Sequence, residues 1–290
     1  FPYTTLLRSR ILKPQSLSVL HHCFERQHKA YLGVSVMAFM PLRPEPALLP
    51  EQELWQMLPP LLDQQIPLDA ALPKIGGEFL VIGDACAPEG QAVTNLAVRA
   101  RVGAMSKTLH VTGQRYWATK RATTDPIPFT RQPLVWEHSY GGPGFADNPV
   151  GCGIALVATQ AGPLQPLPRV EHPAAPVVAP DKPAPPASFA PIAPLWPQRK
   201  RFDGTYDNEW LKNEYPGPPL DFNWRYHCVA PEDQWQPQHF VGNEEVELVH
   251  MHPDHARIQL SLPAIKPVVA VRIKGMPARQ AIGVESKLTT

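Results

Sequence analysis

The amino-acid sequence predicts a mainly β fold: a β-sandwich-like arrangement of antiparallel hairpins with a few short helices and long proline-rich loops. Proline supplies the first observation, because 37 prolines among 290 residues interrupt helices and central strands over much of the chain. The second is an alternation of apolar and polar residues in several short segments, which is typical of strands with one face on a core. A content of 43% apolar residues is enough to build that core.

The N-terminal third is predicted to contain two strands separated by a short helix. Residues 31–39 are rich in apolar and β-forming side chains and form the first predicted strand. Apolar residues at near-helical spacing over 51–62 predict the helix, which a Pro-Pro pair disturbs. A strand is predicted next at 78–83, followed by a turn at 84–90.

The clearest alternation lies at 94–102 and predicts a half-buried strand. Its apolar face carries Leu96, Val98, Ala100 and Val102. Just beyond it, Thr112-Gly113 resembles a tight turn, so residues 108–111 and 114–117 are predicted to form a hairpin around it.

The second half of the chain begins with a proline-rich stretch and ends in strands. Residues 160–197 are dominated by Pro, Ala, Val and Leu, and we expect an extended segment that crosses over a single domain. Alternation predicts a second hairpin from residues 246–251 and 257–262. A further strand is predicted at 268–273.

The domain organisation follows from these segments. The opening residues FPYTTLLRSR resemble translated adaptor sequence more than protein, so residues 1–20 are expected to be a non-native or disordered N-terminal segment. Residues 21–290 are expected to form a single β-rich domain that includes the 160–197 crossover. We expect this domain to be truncated at its C-terminal end.

Charge and cysteine usage exclude several classes of function. A formal net charge of +1 gives no electrostatic basis for binding nucleic acid or an acidic membrane surface. No apolar run approaches the roughly 20 residues that span a bilayer, so we expect no membrane insertion. The four cysteines are widely spaced and lack a C-x-x-C pair. With no signal peptide in the sequence, the expected location is the cytoplasm.

One segment has the pattern of a metal site. His250, His252, Asp254 and His255 form an H-x-H-x-D-H sequence that resembles the metal-binding signature of the metallo-β-lactamase hydrolases, where His and Asp ligands hold zinc and activate water. In that family, the motif leads into a helix and further ligands follow. Here, no histidine follows His255 and an alternating strand does. The sequence therefore favours a polar hairpin turn, with a metal-dependent hydrolase kept as an alternative.

Catalysis elsewhere is not expected. Cys152 and His138 could be imagined as a nucleophile and its base, but turn-forming residues surround Cys152, and a free cysteine is usually a small buried hydrophobe. Nucleophile-elbow and P-loop patterns are absent from the sequence. We therefore expect neither catalytic residues nor a cofactor.

Two clusters of aromatic residues, glycines and acids suit structure or binding better than chemistry. Residues 136–153 (WEHSYGGPGFADNPVGCG) predict a complex packed loop, or a rigid loop that presents aromatic side chains to a partner. Its candidate interaction residues are Trp136, Tyr140, Phe145 and Asn148. Residues 203–210 (DGTYDNEW) predict a turn leading into a short helix capped near Asp207 or Asn208.

Seven segments in order resemble a bacterial family defined only as domain of unknown function 2169. They are 73–83 (PKIGGEFLVIG), 96–103 (LAVRARVG), 140–153 (YGGPGFADNPVGCG), 204–210 (GTYDNEW), 219–222 (PLDF, preceded by Pro218), 230–234 (APEDQ) and 248–253 (LVHMHP). The resemblance runs from about residue 30 to the end of the chain. In that family, the region around His252-Pro253 is a plain strand and turn.

The resemblance implies an accessory role in type VI secretion. Similar proteins are adaptors or chaperones that help load a toxic effector onto the secreted spike (VgrG and PAAR-type proteins). They act in the bacterial cytoplasm by protein–protein binding and are not catalysts. A structural or carbohydrate-binding β-domain is a further alternative, because exposed aromatic side chains also stack on sugars.

Overall fold

Residues 17–26, 29–38, 40–42, 49–50, 52–53, 56 and 74–264 are described by the structure, a computed structural model of the chain. The chain divides into two compact units, one made of residues 1–41 and 46–72, the other of residues 42–45 and 73–290. Such a division does not decide whether the units fold independently, so a single domain over 21–290 stays a prediction.

The described part of the first unit is an antiparallel hairpin. Strand β1 (Leu17–Arg26) pairs with β2 (Lys29–Ala38), and their register runs from Leu17 opposite Ala38 to Arg26 opposite Lys29. β2 confirms the predicted first strand. β1 was not predicted, and it begins inside the segment 1–20, for which the sequence analysis expects no native structure.

The predicted helix at 51–62 is only partly described. Gln52, Glu53 and Gln56 are helical, and the other residues of that prediction lie outside the described ones. The strand predicted at 268–273 also lies outside them.

The second unit is built from short strands joined by irregular segments. Its described strands are β3 (Gly77–Glu78), β4 (Asp84–Cys86), β5 (Asn95–Val102), β6 (Met105–Thr112), β7 (Arg131–Pro133), β8 (Tyr140–Gly141), β9 (Cys152–Gly153), β10 (Val157–Thr159), β11 (Gly162–Leu164), β12 (Val170–Glu171), β13 (Trp235–Gln236), β14 (Glu245–Val249) and β15 (Arg257–Ser261). Two short helices, α1 (Pro197–Lys200) and α2 (Asn208–Asn213), lie between β12 and β13. The predicted mainly β class is confirmed.

A five-stranded antiparallel sheet organises this unit, with the strand order β12-β6-β5-β14-β15. The alternation predicted for β5 is confirmed, because Val98, Ala100 and Val102 are buried while Asn95 and Arg99 are exposed. Paired strands β14 and β15 confirm the second predicted hairpin. Smaller pairs surround the sheet: β3 with β13, β4 with β7, β10 with β11, and the parallel pair β8 with β9.

Three local predictions are corrected by the strand pairing. β6 pairs with β5 through a turn at Gly103-Ala104, so the hairpin predicted around Thr112-Gly113 is wrong. The backbone of Gly113 instead donates to Thr94, and a Cβ there would lie 1.9 Å from the carbonyl oxygen of Ile127. A close approach to a neighbouring backbone, not a tight turn, explains this glycine.

The other two corrections concern the segment before β5. Of the strand predicted at 78–83, only Glu78 belongs to a strand, because Phe79 donates to Gln234 and Val81 to Phe189 in irregular loops. The turn predicted at 84–90 opens with strand β4, which pairs with β7. Distant backbone partners determined both outcomes, and local sequence carries no signal for them.

The proline-rich stretch at 160–197 lies within the second unit. It forms β11 and β12 and then continues without regular structure. Along that irregular part, Ala184, Ala187, Phe189 and Ile192 are buried, and Ala187 and Phe189 belong to the core of the sheet. An extended chain therefore covers apolar side chains that a sheet alone would leave exposed.

The core face of the sheet also holds one charged side chain. Lys107 of β6 is buried, and its Nζ donates to the Ser188 carbonyl at 2.7 Å, to Gln234 Oε1 at 2.8 Å and to Asp233 Oδ1 at 2.9 Å. The amide of Gln234, itself fully buried, donates to the carbonyls of Phe79 and Phe189. Through this group of residues the sheet is joined to the irregular segments that cover it.

The opposite face of the sheet is polar and carries a buried carboxylate. Glu247 of β14 accepts a hydrogen bond from Arg99 of β5 at 2.6 Å and one from Nε of Arg257 of β15, also at 2.6 Å. The Arg101 guanidinium lies 3.9 Å away. Three arginines from two neighbouring strands thus surround one carboxylate on this face.

Candidate functional site

The His-rich segment forms the turn between β14 and β15, as the sequence favoured. The backbone of His250 has a φ of 57° and its amide donates to the Ala256 carbonyl, which closes the hairpin. Its ring Nδ1 donates to the Ala97 carbonyl at 2.8 Å. His250 is therefore held by the backbone on both sides of the turn, and one ring nitrogen is already used.

The remaining candidate ligands interact with each other. The rings of His252 and His255 stack with centroids 4.9 Å apart, and the Asp254 amide donates to Nδ1 of His252 at 3.1 Å. Across the described residues, no group of three or more His, Cys, Asp or Glu side chains has an arrangement that could hold a metal ion. His250, His252, Asp254 and His255 therefore lie in one turn, but their side chains do not form a metal-binding group.

The structure describes the burial and the hydrogen bonds of Cys152 and His138, the nucleophile and base considered from the sequence. Burial raises the pKa of the Cys152 thiol, with smaller opposing effects from Arg169, so the thiol form is favoured over the nucleophilic thiolate. Burial also lowers the pKa of His138, whose Nδ1 lies 2.7 Å from Gln132 Nε2 and 2.9 Å from the Pro133 carbonyl oxygen. These contacts fix the His138 ring within its own loop.

Residues 136–153 form a loop built around Asn148. The Asn148 side chain is fully buried, and its Nδ2 donates to the carbonyls of Trp136 at 2.8 Å and Tyr140 at 3.0 Å. The Asn148 carbonyl accepts from Gly142. Asparagine at this position therefore replaces the hydrogen bonds that a strand partner would supply.

Gly141 is required where the two arms of this loop meet. Its φ is +153°, and a Cβ at this residue would lie 2.2 Å from the carbonyl oxygen of Asn148. Glycine at 141 therefore lets the backbone of Asn148 approach closely, beside the parallel pair of β8 and β9.

The aromatic candidates of this loop face inward. Trp136 is buried, donates from Nε1 to the Pro191 carbonyl at 2.9 Å and packs edge-on against Trp196. Tyr140 is buried too and meets Phe145 edge-on at 5.4 Å. Of Trp136, Tyr140, Phe145 and Asn148, only Phe145 is partly accessible to a partner approaching this unit.

A second cluster, the aromatic loop (residues 203–221), is closed at its base by hydrogen bonds between its two ends. The Asn223 amide donates to the Phe202 carbonyl at 3.0 Å. Further into the loop, the amide and hydroxyl of Thr205 donate to the carboxylate of Asp221 at 3.0 and 2.8 Å. These bonds lower the pKa of Asp221 and hold the loop as a compact unit.

Helix α2 lies inside the aromatic loop and begins as the sequence predicted. Asp207 is its N-cap and accepts from the amides of Glu209 at 3.0 Å and Trp210 at 2.9 Å. The Trp210 ring meets Tyr206 edge-on at 4.8 Å and Tyr215 edge-on at 5.6 Å. Its indole nitrogen donates to the Gly217 carbonyl at 2.8 Å, so Trp210 fixes both halves of the loop.

Several large apolar side chains of the aromatic loop are exposed. None of the residues of α2 is buried. The exposed fractions are 50% for Tyr206, 57% for Leu211, 56% for Tyr215 and 59% for Leu220. The sequence analysis found the first part of this cluster and missed Tyr215 and Leu220. The available signal was a large apolar residue on each side of the proline-rich run at 216–219.

These features define a class: a mainly antiparallel β protein that presents a structured aromatic loop on its surface. A family model matches residues 27–290, and the chain belongs to that family, described as an uncharacterized protein conserved in bacteria, domain of unknown function 2169. The resemblance seen in the sequence is thereby confirmed at the level of the family. No curated protein and no solved structure matches the chain. Among the described residues, no helix has the length and apolar character needed to cross a membrane.

Proposed function

We propose that this protein is an effector-loading adaptor of a bacterial type VI secretion system. In this role it binds a toxic effector, the VgrG or PAAR-type spike, or both, in the cytoplasm of the secreting cell, and catalyses no reaction. Family membership and the resemblance in sequence support the biological setting. The exposed aromatic loop is the observation that supports action by binding.

The physical argument concerns the surface of the aromatic loop. Exposed aromatic and leucine side chains are unfavourable in water, and Tyr and Trp supply much of the energy of protein–protein interfaces. In the aromatic loop, Trp210 holds Tyr206 and Tyr215 in fixed positions. A surface ordered before binding loses less conformational entropy when a partner arrives.

The proposal is tested through the genes next to the one that encodes this chain. We expect the purified full-length protein to co-purify with the product of a neighbouring effector or spike gene. Deletion of the gene should abolish secretion of that effector while its intracellular level is preserved or reduced, and a plasmid copy should restore secretion. Normal secretion of the effector after deletion would show that the protein is not its adaptor.

A further inference from the structure

We infer that the aromatic loop, residues 203–221, is a docking site for a protein surface that is both apolar and basic. The inference rests on the proposed function, because it names the chemistry of the partner that such an adaptor would hold. It is carried by two observations that coincide on the same loop: exposed large apolar side chains and a strong excess of negative charge.

Several large apolar side chains of the aromatic loop are exposed. Leu211 is 57% and Leu220 59% exposed, and Tyr206 and Tyr215 of the same loop are exposed as well. Leucine and tyrosine side chains of this size are stabilised when a partner covers them. The loop therefore offers exposed apolar side chains of the kind that form the centre of interfaces.

The charged residues within the aromatic loop have one dominant sign. The aromatic loop contains a single basic residue, Lys212, and several acidic ones: Asp203, Asp207, Glu209, Glu214 and Asp221. The chain as a whole has a formal net charge of only +1, so the acidic residues of this loop are a local feature. A loop with this excess of acidic residues attracts a partner with Lys and Arg side chains and disfavours an acidic one.

Glu209, in the first turn of α2, accepts a hydrogen bond from Asn213 at 3.1 Å, yet its carboxylate stays exposed. Asp207 caps α2 and Asp221 closes the base of the loop. The side chain of Glu209 is 75% exposed, and its ion pair with Lys212, at 3.8 Å, is exposed as well. Exposed pairs of this kind contribute little to stability, so Glu209 remains available to a basic partner.

The loop is also rigid enough to act as a preformed site. Gly204 adopts a φ of +84°, where a Cβ would meet Phe222 at 3.1 Å, and the closing hydrogen bonds follow directly. Trp210 joins the helix to the returning half of the loop through the Gly217 carbonyl. The apolar side chains are therefore displayed by a loop with its own hydrogen bonds and ring contacts.

Photocrosslinking in the bacterium that makes the protein tests this inference. The full-length chain carries a photoreactive benzoylphenylalanine in place of Leu211, and a matched chain carries it in place of Leu156, which is 64% exposed and lies outside the loop. We expect an adduct from position 211 whose site on the partner lies among apolar residues next to Lys or Arg. The absence of an adduct, an equal yield from position 156, or a partner site rich in Asp and Glu would overturn the inference.

Charge reversal supplies the second measurement. In the chain with the photoreactive residue at 211, Glu209→Lys with Glu214→Lys should lower the adduct yield by about tenfold or more, because like charges then face each other. The matched control reverses two exposed acids elsewhere, Asp125→Lys with Asp181→Lys, and should leave the yield unchanged. Circular dichroism of the two double variants should show that each is folded. Equal yields from the two double variants would contradict a basic partner surface.

The two proposals fail separately. If secretion depends on the gene but position 211 gives no adduct, the adaptor function stands and the docking site is wrong. If position 211 gives the expected adduct with a basic surface while secretion is normal without the gene, the docking site stands and the type VI role is wrong.

Discussion

Lys107 is a charged residue at a position where the alternation of β6 requires a core side chain. Its neighbours on the same face, Leu109 and Val111, are fully buried. Burial lowers the pKa of Lys107, and the nearby carboxylate of Asp233 opposes that shift. The three acceptors around Nζ make the position tolerable, because each replaces a hydrogen bond that water would have given.

Replacing this side chain tests how much the polar contacts beneath the sheet contribute. Lys107→Met preserves volume but leaves Gln234 Oε1 and the Ser188 carbonyl without their donor. We expect the free energy of unfolding to fall by on the order of 3 kcal/mol, measured by urea denaturation. Lys182→Met, at an exposed lysine, should change it by less than about 0.5 kcal/mol. Equal stability of Lys107→Met and the wild type would show that apolar packing fully replaces the ion.

Individual residues also show where sequence reasoning reached its limit. The glycines and aromatics of 136–153 predicted a complex loop, and Asp207 was predicted near a helix cap, both from local chemistry. Whether Trp136 faces a partner or the core depends on the Pro191 carbonyl, which is 55 residues away. No local pattern encodes such a contact, so the orientation of these side chains could not be predicted.

Strands β5, β14 and β15 jointly build the ion cluster around Glu247. Desolvation of the buried carboxyl would raise its pKa, but the hydrogen bond and charge of Arg257, with the charges of Arg99 and Arg101, outweigh it and lower the pKa below its ordinary 4.5. A lowered carboxyl pKa means that the folded state holds the ionised form better than the unfolded state does. The resulting stabilisation is complete above pH 4.5 and is lost as the pH falls below it through the lowered pKa.

This pH dependence can be measured against a variant that cannot ionise. At neutral pH we expect Glu247→Gln to be less stable than the wild type, because three arginines lose their carboxylate. The difference should shrink as the pH falls below 4.5, where the wild type also becomes protonated. Glu245→Gln, on the same strand as Glu247, removes an exposed pair with Arg101 of β5 and should differ little from the wild type. A Glu247→Gln difference that is constant from neutral to acidic pH would contradict the assignment.

Elements with one buried face were predictable, and elements paired with distant loops were not. β5 and β15 have clean alternation because each places one face on the core, so their positions followed from the sequence. β3 and β4 contain two and three residues, too few for a period to appear. Their existence depends on β13 and β7, which lie far away in the chain.

At the scale of the whole molecule, the described residues of the sheet's core lie in the second unit. Its buried residues run from Phe79 to Leu260. The composition correctly predicted a mainly β chain, and seven local motifs in register predicted the family that the match over 27–290 confirms. The composition did not predict the division of the chain at residue 73. The proline-rich stretch at 160–197, which could have marked a domain boundary, instead contributes Ala187 and Phe189 to the core of the sheet.

The division gives a prediction about independent folding. A fragment of residues 73–290 retains every residue of the sheet's core, so we expect it to unfold cooperatively and to keep the near-ultraviolet circular dichroism that packed tryptophans such as Trp136 produce. A fragment that starts at residue 88 lacks Phe79 and Ala85 and should lose that signal, because it exposes the core those side chains cover. If the 73–290 fragment instead shows compact but unpacked behaviour, with retained far-ultraviolet and lost near-ultraviolet signal, residues before 73 belong to the same cooperative unit. That outcome would favour the single domain over 21–290 that the sequence predicts.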